Sequence, residues 1–181
     1  MTLEADVETV YRRLKIVVPI VLTCVALDQI SKAIAQAVLP PQRVELLGGL
    51  VRLQLSENVG AFLGLGASLP PQLRFWIFTV ASGILLAGVI VYAVTSRHLS
   101  RDVVIALAFV TGGGISNLID RALRDGRVVD FLNFGIGGLR TGILNLADIF
   151  ITFGALYVLW VGLVEMRQAP LSDETGEPER R

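Results

Sequence analysis

The sequence predicts an all-α membrane protein with four transmembrane helices and a small extracytoplasmic β-sheet from the first outer loop. Hydrophobic residues make up 53% of the 181 positions, and the mean hydropathy of +0.65 is high for a soluble domain. The apolar residues gather into four stretches, each long enough to cross a bilayer as a helix. The segment between the first two stretches is too long to be a bare connector, which indicates structure of its own.

Few charges interrupt the four stretches, which cover residues 16–39, 73–95, 103–119 and 143–164. The first carries Asp28 and Lys32, the second carries Arg74 near its start, and the fourth contains Asp148. The third is uncharged and has three consecutive glycines that favour close helix contacts. The basic flank of the first stretch is typical of a signal peptide. Because Asp28 and Lys32 interrupt the apolar run, we expect this stretch to be retained as a span.

The chain is expected to form one membrane unit with polar ends. We predict a cytoplasmic N-terminal tail at 1–15, a four-helix membrane domain at 16–166 and a disordered cytoplasmic tail at 167–181. Within the first loop, residues 51–55 alternate apolar and polar side chains, and Gly48 and Gly49 before them offer a hairpin turn. This pattern predicts a surface β element at about 43–66. A second β-like run lies at 127–132.

Basic residues predict the orientation of the spans. The short 97–102 link carries two arginines, and Arg12, Arg13 and Lys15 precede the first stretch. Because positive charge is favoured on the cytoplasmic side, we expect both termini in the cytoplasm and both long loops outside it.

Composition excludes several kinds of site. Sixteen basic and sixteen acidic residues give a net charge of zero, and no basic stripe suggests a nucleic-acid partner. A single cysteine, Cys24, forbids an internal disulfide, and a single histidine, His98, argues against a zinc centre or a serine–histidine pair. We therefore expect no metal and no cofactor.

Polar residues are costly in a bilayer, so their positions are informative. Here they collect where the last two spans meet the outer loops, and helical spacing places several of them on shared faces. We expect the group to converge at one depth near the outer interface; its members are Asn58, Asn117, Asp120, Arg121, Asp130, Asn145 and Asp148.

Two carboxylates in such a site cannot both ionise comfortably. Repulsion and desolvation raise one pKa, so that the pair holds one proton near neutrality. One carboxylate can then accept a proton from water while the other donates a proton to a carbonyl oxygen. Such a pair hydrolyses an amide without a metal or a covalent intermediate.

Other interpretations of the acids compete with catalysis. Asp28 and Lys32 are spaced i, i+4, and the simpler interpretation is a neutral pair that supports helix packing. Asp120 and Arg121 are equally consistent with structural support and with substrate contact. The whole chain is also compatible with a transporter that uses Asp28, Lys32 and Asp148 as a relay, or with a structural membrane subunit. The nearly apolar second stretch disfavours a transport pathway.

Four sequence blocks resemble a known family. They are Asp28-Gln-Ile-Ser-Lys32, Asn58-Val-Gly-Ala-Phe62, the segment from Gly113 through Asn117, Asp120 and Arg121 to Asp130, and Asn145-Leu-Ala-Asp148. In this order, and over residues 28–148, they resemble lipoprotein signal peptidase, the type II signal peptidase of bacteria. Ser116 stands where the family's third block usually has glycine.

The resemblance implies an aspartyl protease of lipoprotein processing, a multi-pass hydrolase of the bacterial cytoplasmic (inner) membrane. It would remove the signal peptide from diacylglyceryl-modified prolipoproteins by cleaving on the amino side of the lipidated cysteine. Asp130 and Asp148 would form the dyad that activates a water. The substrate and the lipid bilayer are the expected partners, and we expect a monomer. Residues near the substrate would be Asn58, Gly60, Asn117, Asp120, Arg121 and Asn145, with Asp28 and Lys32 as structural support.

Overall fold

Four long helices form the membrane part of the computed structural model, which describes residues 3–61 and 64–168. They are α1 (Leu3–Val38), a second span at Pro71–Thr95, α4 (Arg101–Leu123) and α5 (Leu146–Gln168). The second span consists of α2 (Pro71–Arg74), a π-helical segment (Phe75–Ala81) and α3 (Ser82–Thr95). All four are long and apolar enough to cross a membrane, which confirms the predicted architecture.

The two long loops share one antiparallel sheet. Its strands are β1 (Val44–Leu46), β2 (Val51–Asn58), β3 (Val128–Ile136) and β4 (Leu139–Arg140), in the order β1-β2-β3-β4. The predicted hairpin turn joins β1 to β2, and Gly48 and Gly49 adopt φ angles of 64° and 87° there. The prediction that the sheet comes from the first loop was incomplete. A three-residue β1 gives β2 too little pairing, and β3 from the second loop supplies most of it.

The first and last helices extend beyond the predicted bounds of the membrane domain. Residues 3–15, expected as a tail, continue α1 as helix, because hydropathy marks only the part of a helix that meets hydrocarbon. The exposed pair Glu8–Arg12, 3.8 Å apart at i, i+4, lies on this polar extension. At the other end α5 continues to Gln168, and the remaining predicted tail, 169–181, lies outside the described residues, as does Phe62 of the second sequence block.

Helix α4 is the centre of the bundle because three consecutive glycines face three different neighbours. A Cβ on Gly112 would lie 2.7 Å from the Cβ of Cys24 in α1. On Gly113 it would lie 2.5 Å from the carbonyl oxygen of Ala147 in α5, and on Gly114 it would meet Leu86 of α3 at 2.6 Å. Successive helical residues are turned by about 100°. The glycine run therefore lets one helix touch all the others at the same depth.

Candidate active site

The two predicted catalytic acids lie on different elements and face one site. Asp130 is on β3, opposite Ser56 of β2, and Asp148 is in the first turn of α5. Both are buried, with 2% and 8% of their surfaces exposed. A single side chain, Asn145, contacts both: its Nδ2 donates to Oδ1 of Asp130 at 2.7 Å, and its Oδ1 accepts the backbone N–H of Asp148 at 2.9 Å. The structure thus brings the two acids together around one asparagine.

Asn117 of α4 contacts Asp148 from another side. Its Nδ2 donates to Oδ1 of Asp148 at 3.1 Å. Its Oδ1 accepts hydrogen bonds from Lys32 Nζ at 3.0 Å and from Asn145 Nδ2 at 3.1 Å. Because an ammonium group can only donate, Lys32 determines which end of the amide faces Asp148. Lys32 of α1 therefore orients the hydrogen bond that Asn117 donates to Asp148 of α5.

Asp130 receives its second hydrogen bond from the loop after β2. Nδ2 of Asn58 donates to Oδ2 of Asp130 at 3.0 Å, while Oδ1 of Asn58 accepts the N–H of Gly60 at 2.9 Å. Arg121 Nη2 donates to the carbonyl oxygen of Gly60 at 2.9 Å. A side chain at Gly60 would place Cβ 2.5 Å from the carbonyl oxygen of Leu65, so only glycine allows this turn. Arg121 and Gly60 thereby hold the loop that places Asn58.

The electrostatics of Asp130 suit a shared proton. Burial, followed by the nearby negative charge of Asp148, raises the pKa of Asp130 to about 7. Hydrogen bonds from Asn58 and Asn145 act in the opposite direction and limit the rise. The pair consequently keeps a proton near neutral pH.

A buried ion cluster is joined to the acids through Asn117, which accepts from Lys32 and donates to Asp148. Lys32 Nζ is 2.6 Å from Oδ2 of Asp28 and 2.9 Å from Oδ2 of Asp120, and all three side chains are almost fully buried. Oδ1 of Asp28 accepts the N–H of Ala147, at the start of α5, at 2.8 Å. Oδ2 of Asp120 accepts the N–H of Val129, at the start of β3, at 3.0 Å. The cluster therefore anchors both elements that carry the acids.

Comparison with known proteins identifies the family. A family model described as signal peptidase (SPase) II matches residues 20–164. The chain belongs to this family. The lipoprotein signal peptidase of Chlorobium phaeobacteroides is 33% identical over 75% of this chain and 89% of the relative. The lipoprotein signal peptidase of Sphingopyxis alaskensis is 35% identical over 81% and 84%, respectively.

Solved structures agree on the fold. Two bacterial membrane enzymes superpose with TM-scores of 0.72 and 0.70, at 23% and 24% identity. The matches cover 91% and 81% of this chain and 94% and 92% of those chains. The chain thus shares its fold with these two membrane enzymes.

A cavity of about 510 Å³ opens beside the acids. Asp130, Asp148 and Asn58 line its polar end. Its remaining wall is largely apolar and comes from three spans: Phe78, Leu85 and Leu86 from the second, Val110 and Leu118 from α4, and Ile151 and Leu156 from α5. A site of this kind in a signal peptidase II bundle can accept an apolar chain with one polar segment at the acids.

Two polar residues that the sequence analysis gave no role belong to the ion cluster. Gln29 Nε2 donates to Oδ1 of Asp120 at 3.1 Å and to Oγ of Ser116 at 3.0 Å. Oγ of Ser116 in turn donates to Oδ2 of Asp28 at 2.7 Å. The signal was available, since Gln29 adjoins Asp28 and Ser116 lies four residues before Asp120. Both were passed over because uncharged polar side chains carry little information without a partner.

Within the described part of the chain, no cluster of three or more His, Cys, Asp or Glu side chains has the proximity required to hold a metal ion. The acids instead find their partners among asparagine amides and backbone N–H groups.

Proposed function

We propose that the chain is an aspartic endopeptidase that removes the signal peptide from diacylglyceryl-modified prolipoproteins by cleaving on the amino side of the lipidated cysteine. Membership of the signal peptidase II family and relatives named lipoprotein signal peptidase support the substrate class. The observation that carries the assignment of residues is the contact of Asn145 with both Asp130 and Asp148. Asn145 holds both buried carboxylates, that of Asp130 through its side chain and that of Asp148 through its backbone N–H, and this arrangement supports a shared proton.

The chemistry follows from one proton shared between the two acids. The ionised carboxylate takes a proton from a water molecule, whose oxygen attacks the carbonyl carbon of the scissile amide. The protonated acid donates its proton to the carbonyl oxygen, which gives a neutral tetrahedral intermediate. The first acid then transfers the proton it took from water to the amide nitrogen, the second acid recovers a proton from a hydroxyl of the intermediate, and the C–N bond breaks. The products are a free carboxyl and a free amino terminus, and the dyad regains its starting protonation.

Other residues of the site act on the dyad or on the substrate in this proposal. Asn117 and Asn58 hold Asp148 and Asp130, respectively, by side-chain hydrogen bonds. Arg121 and Gly60 support the loop that carries Asn58 and contact the peptide on the same side. The ion cluster of Asp28, Lys32 and Asp120 anchors the start of β3 and the start of α5 by accepting backbone hydrogen bonds. This division assigns Asp120 to support, although the sequence left support and substrate contact equally open.

The substrate reaches the dyad from within the bilayer. The cavity beside the acids has an apolar wall made by three spans, which suits the apolar segment of a signal peptide and lipid chains. We further propose that the site faces the outer leaflet, that both termini are cytoplasmic and that one chain is sufficient for activity. Support comes from the even number of spans and from the arginines of the short 97–102 link.

The test replaces each acid with its amide. Purified Asp130→Asn and Asp148→Asn should each cleave a diacylglyceryl-modified prolipoprotein at least ~100-fold more slowly than the wild type, because either change removes one proton carrier. Cleavage is measured by the mass change of the substrate in detergent. Asp125→Asn is the matched control, since Asp125 is exposed in the loop between α4 and β3 and Asn tolerates its positive φ of 53°.

The control should keep wild-type activity, and all three variants should unfold at temperatures close to that of the wild type. Cleavage by a folded Asp130→Asn or Asp148→Asn variant at the wild-type rate would refute the dyad.

A further inference from the structure

A second cavity lies at the end of the bundle opposite the acids. Its volume is about 630 Å³, and it lies where α1, the C-terminal end of the second span and the start of α4 meet. Four arginines line it, Arg12, Arg13, Arg97 and Arg101, against one acid, Glu8. None of these residues takes part in the proposed catalytic site.

The arginines are unequal in their other contacts. Arg13 is half-buried and structural: its Nη1 donates to the carbonyl oxygen of Ala93 and its Nη2 to that of Leu99, both at 2.9 Å. Arg12 is exposed and lies 3.8 Å from Glu8. Arg101 is exposed and makes no ion pair with any residue that the structure describes. Arg13 and Arg101 thus bring positive charge to the cavity that no ion pair among the described residues offsets.

The apolar wall of the cavity indicates which kind of anion it binds. Its inner wall is apolar, formed by Ile16, Leu99 and Val104. Val104 also belongs to a buried apolar cluster that includes Val17, and Leu99 packs against that cluster. Arginines above an apolar wall, at the end of a membrane-spanning bundle, match the phosphate and upper acyl chains of a phospholipid.

We propose that this arginine cavity binds the phosphate group of an anionic phospholipid at the membrane face opposite the catalytic acids. The positive charge favours an anionic headgroup over a zwitterionic one, because a zwitterionic headgroup adds a cation next to the arginines. The inference goes beyond the proposed peptidase activity and does not rest on it. A free phosphate ion shares part of this chemistry, so the test must separate the two sources.

The experiment measures lipid binding rather than cleavage. The full chain is reconstituted in nanodiscs of phosphatidylcholine alone or mixed with phosphatidylglycerol, and bound lipids are counted by native mass spectrometry. The wild type should retain phosphatidylglycerol in preference to phosphatidylcholine. In Arg97→Gln/Arg101→Gln the affinity for phosphatidylglycerol should fall roughly tenfold or more, because each cation near a headgroup contributes to binding. Both side chains are exposed, and Arg13, which holds the helices, is left intact.

Two further variants separate local charge from other effects. Arg97→Lys/Arg101→Lys keeps the charge and should keep most of the preference. Arg43→Gln/Arg127→Gln removes the same charge from the opposite end of the bundle and should bind phosphatidylglycerol as the wild type does. Equal retention by wild type and Arg97→Gln/Arg101→Gln would overturn the proposal, as would equal loss in the Arg43→Gln/Arg127→Gln control.

A separate arm tests free anions. Inorganic phosphate is added to the wild type in phosphatidylcholine nanodiscs, and the unfolding temperature is measured. The lipid assignment predicts no shift with phosphate and an upward shift of roughly 2–4 °C with phosphatidylglycerol. A shift with phosphate as large as that with phosphatidylglycerol would overturn the assignment to a lipid.

Discussion

At the scale of single residues, the amide of Asn145 determines how the two acids can behave. The Asn145 side chain donates to Oδ1 of Asp130 and its backbone N–H donates to Oδ2 of Asp148 at 3.2 Å, so neither carboxylate can turn away without breaking a hydrogen bond. Asn117 and Asn58 add one donor to each acid. Amides neutralise no charge, and they leave the shared proton to the acids themselves. An ion pair in the same position would have suppressed that proton.

The raised pKa of Asp130 predicts a pH dependence. With a pKa of about 7, Asp130 is protonated below pH 7 and ionised above it. The singly protonated pair is therefore lost as the pH rises through this value, and kcat/KM for prolipoprotein cleavage should fall on the alkaline side with an apparent pKa near 7. The measurement is a pH–rate profile in detergent, with unfolding temperatures recorded at each pH. A rate that stays constant from pH 6 to pH 9 would contradict the prediction.

Removing the buried cation should destabilise the molecule. Lys32→Met leaves Asp28 and Asp120 buried without their ammonium partner, at an expected cost of roughly 3–5 kcal/mol. The unfolding temperature, measured in detergent, should fall. Asp120 keeps Arg124 at 3.6 Å, so adding Asp28→Asn removes the charge that is left unpaired and should recover part of the loss. If the single and double variants unfold at the same temperature, Lys32 and Asp28 are not coupled.

Sequence reasoning anticipated the composition of the site better than its contacts. Asn58, Asn117 and Asn145 stood out because polar groups at span ends are costly. Their hydrogen-bond partners depend on how closely α4, α5 and the loop after β2 pack against one another. No local sequence pattern encodes that packing. For the same reason the role of Lys32 in orienting Asn117 could not be predicted from its i, i+4 spacing to Asp28.

At the scale of elements, helix α4 depends on its glycines. A Cβ at Gly113 would come within 2.5 Å of the Ala147 carbonyl oxygen, one residue before Asp148. That contact sets the distance between α4 and the first turn of α5. The position of one acid of the proposed dyad therefore depends on the absence of a side chain on the neighbouring helix.

Gly113→Ala should accordingly impair both stability and cleavage. Overpacking at this contact should cost about 1–3 kcal/mol and displace the start of α5, so that kcat falls. Gly88→Ala is the matched control, because a Cβ at Gly88 of α3 meets nothing within 4 Å. The two variants are compared by unfolding temperature and single-turnover cleavage. Equal behaviour of Gly113→Ala and Gly88→Ala would show that the contact is not limiting.

The sequence predicted helices more completely than strands. Four apolar stretches locate the spans because the bilayer imposes a minimum length on each. The sheet depends on pairing between β2 and β3, in which Asn58 lies opposite Val128. That pairing follows only after α4 has brought the second loop beside the first. Alternation at 51–55 indicated a strand but could not indicate its partner.

At the scale of the whole molecule, four spans and two sheet-forming loops give the bundle two different ends. The sheet and the acids lie at one end, and the arginine cavity lies at the other. An even number of spans places residues 3 and 168 on the same side of a membrane. The proposed orientation therefore determines the location of every functional group at once.

Cysteine labelling tests that orientation. The only cysteine, Cys24, is buried and provides an unlabelled background. Gly138→Cys places a thiol at the turn between β3 and β4, where a Cβ meets no atom within 4 Å, and His98→Cys places one in the exposed link at the opposite end. In spheroplasts, a membrane-impermeant maleimide should label Gly138→Cys at once and His98→Cys only after lysis. The reverse pattern would place the dyad on the cytoplasmic side.

The hydrogen bond from Ala147 to Asp28 joins positions 119 residues apart. The ribosome synthesises the helices in order. Helix α1 therefore enters the bilayer long before Ala147, whose N–H binds the carboxylate of Asp28, has been translated. Asp148 arrives only with that same final helix. A nascent chain consequently carries no working proton pair at any stage before its last span is inserted. Assembly of the proposed dyad is thereby tied to the insertion of the last span.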